Sequence, residues 1–93
     1  MADYKISRIA EEDLIRIYRF GVEKFGSKQA RKYFNKFFDC FDLIASNPYV
    51  FEAVDYIKPS YRRCVCGSDS VCYRIEDEKV EIMTIVGRQD FKL

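Results

Sequence analysis

The sequence contains no histidine and no tryptophan, only two prolines and four glycines, and no apolar run long enough to cross a bilayer. Each absence removes a class of function. Without histidine there is no Ser-His-Asp or Cys-His nucleophilic catalysis and no histidine-ligated metal. None of the glycines falls in a phosphate-cradling pattern, so no nucleotide loop is expected. A membrane span needs about 18 or more apolar residues, and Met1-Ala2-Asp3-Tyr4-Lys5 leads into mixed polarity with no signal-peptide core. The expectation is a cytoplasmic protein without a membrane partner. Charge of one sign is also lacking: 16 Lys and Arg against 15 Asp and Glu leave a formal net charge of +1, too little for bulk attraction to nucleic acid.

What the chain does have is aromatic and apolar residues. Its 93 residues are 48% hydrophobic, with seven Tyr and eight Phe, enough for one core and hence a single domain over residues 1–93. Four cysteines, Cys40, Cys64, Cys66 and Cys72, are expected as buried thiols, since a chain without an export signal sits in a reducing compartment. Cys64-Val65-Cys66 lacks the two-to-four-residue knuckle of structural zinc sites, so no metal and no cofactor is expected. A three-residue hairpin loop would set Cys64 opposite Cys72 and allow an adventitious disulfide there.

Periodicity orders the elements. Tyr4 to Ile9 alternate bulky and polar side chains and give way to an acidic turn, Glu11-Glu12-Asp13, suited to a helix N-terminus. Ala10, Leu14, Ile17, Tyr18, Gly21 and Phe25 then share one face of a 3.6-residue repeat, closed by Gly26. Ser27 stands at an N-cap position ahead of a second stripe, Ala30, Tyr33, Phe34, Phe37, Phe41 and Ile44, which ends at Asn47-Pro48. A connection without period follows. From Tyr61 the pattern is β: Tyr61 to Cys66, a Gly67-Ser68-Asp69 turn, Val71 to Glu76, an Asp77-Glu78 turn, and Val80 to Val86, apolar enough to be central. The predicted class is α+β, in the order β-α-α-β-β-β, with a helix hairpin packed on one face of a small antiparallel sheet.

Two groups of residues stand out. Arg62, Arg63, Arg74 and Arg88 spread over three strands, with Tyr61 and Tyr73 beside them, and several guanidinium groups on one sheet bind phosphates or carboxylates bidentately. Pairing with nearby Glu or Asp is the alternative for any one of them. Glu76, Asp77, Glu78 and Glu81 read as a solvated edge. The second helix also carries Phe38, Cys40 and Leu43 off its main stripe, which with Tyr18 and Val22 are either additional core or a partner surface.

Glu11-Glu12-Asp13-Leu14-Ile15, Phe25-Gly26 with Gln29-Ala30, Asn47-Pro48, Tyr61-Arg62-Arg63, Gly67-Ser68 and Tyr73-Arg74-Ile75, in this order and spacing, resemble the ParE branch of the RelE/ParE toxin superfamily. The likeness runs from Tyr4 to Asp90. It departs at Phe51-Glu52, where Gly-Arg is common, at Ser60, where Gly often precedes Tyr-Arg-Arg, and in Gly87-Arg88-Gln89-Asp90, which approximates the usual ending. The resemblance implies the toxin of a type II toxin-antitoxin pair that traps the cleaved-DNA complex of DNA gyrase. Arg62, Arg63, Arg74, Arg88, Tyr61 and Tyr73 are then candidate target contacts. It also implies a ParD-like antitoxin, docked over Tyr18, Val22, Phe38, Cys40 and Leu43, through which alone operator DNA would be contacted. The RelE branch, ribosome-dependent mRNA endonucleases with a tyrosine near the C-terminus, is the alternative, as is an inactive relative acting only as a binding partner. After Arg88 this chain offers Gln89, Asp90, Phe91, Lys92 and Leu93, and phenylalanine has no group to handle a proton.

Overall fold

The computed structural model describes residues 3–87. The elements in chain order are β1 (Tyr4–Ile6), α1 (Arg8–Phe25), α2 (Ser27–Ser46), β2 (Glu52–Ala53), β3 (Arg62–Cys66), β4 (Asp69–Glu76) and β5 (Lys79–Gly87). The predicted order is present with one addition, the two-residue β2 inside the connection that showed no period. The sheet runs β1-β5-β4-β3-β2, with β2 to β5 antiparallel and β1 joining β5 in parallel. The apolar β5, expected to be central, is an interior strand between β1 and β4, and β4 is the middle strand.

Helix α1 begins at Arg8, earlier than the alternation of residues 4 to 9 implied, because Ser7 caps it. The Ser7 hydroxyl accepts from the Ala10 amide at 3.0 Å and donates to the Met83 carbonyl at 2.8 Å, so one side chain starts the helix and ties it to β5. Beyond Ile82 the short β1 has ended and the β5 edge lies open. Asp13 closes it, accepting from the Ile85 amide at 3.0 Å and the Thr84 hydroxyl at 2.9 Å. The register shifts here: Cys72 faces Thr84 and Tyr73 faces Ile82, leaving Met83 as an extra residue in β5.

One residue, Gly26, links the two helices. Its φ of 88° and ψ of 162° lie in a region open essentially to glycine alone. Gly26 also takes the cap position of α2, and Ser27, expected there, is already helical because the turn is completed one residue sooner. The helices approach closely where Gly21 meets Ala30: a Cβ on Gly21 would stand 3.2 Å from the Ala30 Cβ. Phe25 falls on the apolar stripe of α1 yet is 69% exposed, as the last residue of that helix.

The core joins Ala10 and Leu14 of α1, Phe37, Phe41 and Ile44 of α2, and Val71, Tyr73, Ile82 and Ile85 of the sheet. Burial of each large side chain contributes about 1.5–3 kcal/mol. Tyr4, Phe38 and Phe37 each set a ring 5.4–6.5 Å from that of Phe41. Two tyrosines carry polar hooks as well. Tyr73, fully buried, donates to the Pro48 carbonyl at 2.6 Å and so pins the segment after α2 to the sheet. Tyr33 donates to Asp69 at 2.7 Å and accepts from the Ser68 amide at 3.1 Å.

The cysteines differ from the expectation. The β3–β4 turn has two residues, Gly67 and Ser68, so Cys64 pairs with Val71, and Cys72 with Arg63. A Cys64–Cys72 disulfide is thereby excluded in this register. Instead Cys40 and Cys66 are joined, with Cα atoms 6.5 Å apart, while Cys64 and Cys72 remain buried thiols. Strand alternation aims Cys66 at the helix layer, where Cys40 lies on the flank of α2.

Gly26→Ala should destabilise the fold by about 1–3 kcal/mol, read as a lower urea midpoint at unchanged slope. An unchanged midpoint would contradict the strained link. A second expectation concerns alkali. Burial, aided at Tyr33 by the Asp69 hydrogen bond, pushes both Tyr33 and Tyr73 up to about 12. The folded chain thus holds two phenolic protons that the unfolded chain releases near pH 10. Stability they supply is complete below about pH 10 and is lost as pH rises toward about 12. Urea midpoints across that window should fall more in the wild type than in a Tyr33→Phe variant; parallel curves would refute the linkage.

Candidate functional site

The β3–β4 register divides the arginine group between the two faces of the sheet. Arg62 stands opposite Tyr73, and Arg63 opposite Cys72. Tyr73 belongs to the core, so alternation turns Arg62 toward the helix side and leaves Arg63 and Arg74 on the open face. Tyr61 lies near enough to Arg74 for their charges to interact. Arg88 lies outside the described residues.

Arg62, Arg63 and Arg74 already hold partners within the chain. Arg62 donates to the Phe51 carbonyl at 2.7 Å and covers the Tyr49 ring, its guanidinium carbon 5.5 Å from the centroid. Arg63 pairs with Glu52 across the β2–β3 edge. Arg74 gives two hydrogen bonds to one oxygen of Glu81, at 2.9 and 3.1 Å, and meets Glu76 at 2.9 Å. The Glu81 hydrogen bonds are the largest cause holding its pKa above the ordinary value. Glu76 and Glu81, expected as a solvated edge, are therefore salt-bridge partners. Tyr73, expected as a target contact, is a core residue with no exposed surface, because its hydroxyl is needed by Pro48.

The partners of Arg62, Arg63 and Tyr73 all lie in the segment of residues 47–61. Arg62 and Tyr73 hold its start and Arg63 its β2 strand, while Val54 is buried beneath it and bonds to the Tyr61 carbonyl at 2.8 Å. Held in this way, the segment presents Tyr49, Val50, Tyr56 and Ile57, between 42% and 75% exposed. Lys58 sits over Tyr61, 5.8 Å from its ring centre. These apolar residues were missed in the sequence reading. The signal was there in Pro48-Tyr49-Val50-Phe51, an apolar run in a stretch without period.

The residues expected to meet a partner on the helices do not form one surface. Tyr18 packs edge-on to Phe34, and Phe34 tilts against Phe38, giving an aromatic row at the hairpin. Val22 follows Tyr18 by one turn and is half-buried beside that row. Cys40 and Leu43 lie on the other flank of α2, where Cys40 is bonded to Cys66. The helical repeat explains the split, since Phe38 and Leu43 lie well over 90° apart around α2. A separate groove of about 520 Å³ opens between the hairpin and the β3–β4 turn. Ile17, Phe20, Gly21 and Phe25 supply its apolar side; Tyr33 and Asp69 form the opposite wall.

Burial pushes the Cys72 thiol up to about 11, against the opposing pull of Arg63, and raises Cys64 too, so neither is a thiolate at neutral pH. Among the described residues no three His, Cys, Asp or Glu side chains gather as a metal site, and no helix is long and apolar enough to cross a membrane.

Comparison with known proteins agrees with this architecture. A family model described as the ParE toxin of the type II toxin-antitoxin system parDE matches residues 4–90. Toxin ParE1 of Caulobacter vibrioides is 31% identical over 86 residues, which cover 92% of this chain and 88% of that protein. Toxin ParE1 of Mycobacterium tuberculosis H37Rv is 32% identical over 75 residues, 81% of this chain and 76% of that protein. A solved structure described as the chromosomal ParDE system from P. aeruginosa superposes with a TM-score of 0.82 over 94% of this chain and 96% of that one; at 20% identity this concerns the fold alone. With a family match across nearly its whole length, the chain belongs to the ParE toxins of type II toxin-antitoxin systems, within the RelE/ParE superfamily.

Proposed function

We infer that the chain arrests growth as a binding module without catalytic activity of its own, by engaging DNA gyrase and holding its cleaved-DNA complex. A ParD-like antitoxin neutralises it and carries any contact with operator DNA. Membership of the ParE family, over residues 4–90, carries this reading. The residues support it in two ways. The described tyrosines with hydrogen bonds into the fold, Tyr33 and Tyr73, are held protonated to about 12, which makes them poor bases for activating a 2′-hydroxyl at neutral pH. Residues 89–93, Gln-Asp-Phe-Lys-Leu, also include no tyrosine.

Arg63 and Arg74 are the target contacts on this reading. Their carboxylate partners hold the guanidinium groups in place, and Glu52 and Glu76 are more than half exposed. A phosphate or carboxylate of the target takes over these hydrogen bonds with little new desolvation. Affinity then comes from geometry already set by the chain.

The Arg63→Ala, Arg74→Ala double variant should relieve growth arrest in an inducible expression assay. Loss of such partly exposed pairs costs about 0.2–1 kcal/mol each, so the fold should survive, as checked by circular dichroism. Full toxicity in the folded variant would refute the arginine assignment. Glu81→Gln separates recognition from the ion pair, because it removes one carboxylate charge and keeps both the guanidinium and its Glu76 partner. Retained arrest is expected; arrest lost as in Arg74→Ala would make Arg74 structural only. For the antitoxin, Val22→Asp should weaken binding by about tenfold or more, since a carboxylate in an apolar contact is left without a partner. Unchanged affinity would rule out the hairpin surface beside Tyr18.

A further inference from the structure

Cys40 and Cys66 stand 26 residues apart in sequence, one near the middle of α2 and the other at the last position of β3. Their bond fastens the helix layer to the strand just where the chain enters the β3–β4 turn. That turn is one wall of the 520 Å³ groove, through Ser68 and Asp69. We propose that the Cys40–Cys66 bond is a reversible thiol–disulfide switch that sets how firmly this wall of the groove is held.

Four observations support reversibility and effect. The two sulfurs differ in access: Cys40 is half-buried while Cys66 is 2% exposed, so a small thiol reaches the bond from the α2 side. The opened state is also accommodated, because the Cys66 sulfur lies 3.7 Å from the Lys36 carbonyl, a partner for a weak S–H donor. The other two cysteines do not compete. Cys72 is pushed up to about 11 by burial and Cys64 is also raised, and register holds them apart. Finally, apart from the disulfide, Tyr33 is the side chain that grips the turn. It accepts a hydrogen bond from the Ser68 amide and donates one to Asp69, with Gly67 packed so close that a Cβ there would fall 2.6 Å from the ring. When the disulfide opens, the wall is left to Tyr33 and to the pairing of Asp69 with Cys66 and Gly87 in the sheet.

The chemistry needs only a low-molecular-weight thiol or disulfide. In reduction, a thiolate attacks the Cys40 sulfur, the S–S bond breaks, and its electron pair leaves on Cys66, which takes a proton from solvent. A second thiolate displaces Cys40 from the mixed disulfide and forms the small-molecule disulfide. Oxidation by glutathione disulfide reverses both steps, giving two molecules of glutathione per bond closed.

The test uses the full chain equilibrated in glutathione buffers from fully reduced to fully oxidised. Thiols are counted after denaturation in acid, and amide exchange of the Gly67–Asp69 turn is followed by mass spectrometry. The expected count falls from four to two, reversibly, with turn exchange slowed by about tenfold on oxidation. A Cys64→Ser, Cys72→Ser variant should show the same loss of two thiols, and Cys40→Ser should show none. A count fixed at either value across all ratios, closure in Cys40→Ser, or equal turn exchange in the two states would each overturn the switch.

Discussion

The whole architecture depends on a one-residue link with a positive φ. Gly26 reverses the chain between α1 and α2 within a single residue, at φ 88° and ψ 162°, and so forces the two helices side by side from their shared end. The small pair Gly21 and Ala30 lets them close together near that end. Further along, larger rings separate them: Tyr18 packs on Phe34, and Phe34 on Phe38. The groove between hairpin and β3–β4 turn lies on the side of Gly21 and Ala30, lined there by Phe20, Phe25 and Tyr33.

The sheet side solves a different problem, that of a strand edge exposed when its neighbour is too short. β1 covers β5 for three residues, after which Ser7 and Asp13 take over its unpaired groups. The same economy governs the arginines. Arg62 organises residues 47–61 through carbonyl groups, while Arg63 and Arg74 are held by carboxylates on the open face. Sequence neighbours in one Tyr-Arg-Arg segment therefore do different work. One anchors the segment after α2, and the next is paired with Glu52 on the opposite face of the sheet.

Much of the fold was legible because it is written in local periods. Two 3.6-residue stripes and three β segments, with turns read at Gly67-Ser68-Asp69 and Asp77-Glu78, specify the helix hairpin and the meander. The parallel entry of β1 was not, since three residues carry no directional signal and only packing against β5 decides it. β2 was invisible for a similar reason: two exposed residues, Glu52 and Ala53, pair with β3 through backbone and the Arg63 ion pair. For the site, the arginines were found by composition, but their faces depend on register. A loop of two residues instead of three also moved every cross-strand partner of Cys64 and Cys72. The Cys40–Cys66 bond joins a helix to a strand, and no spacing rule reports a contact across layers. Tyr73 looked like a displayed tyrosine because the sequence hides Pro48 as its partner.

The central claim is that this ParE-family chain acts on gyrase. The most direct test adds the purified chain to purified gyrase and supercoiled DNA, measuring protein-linked cleaved DNA, beside ribosomes programmed with mRNA. Accumulation of cleaved DNA with intact mRNA is the predicted result. Cut mRNA with gyrase unaffected would contradict the account and assign the chain a nuclease mechanism of the RelE kind.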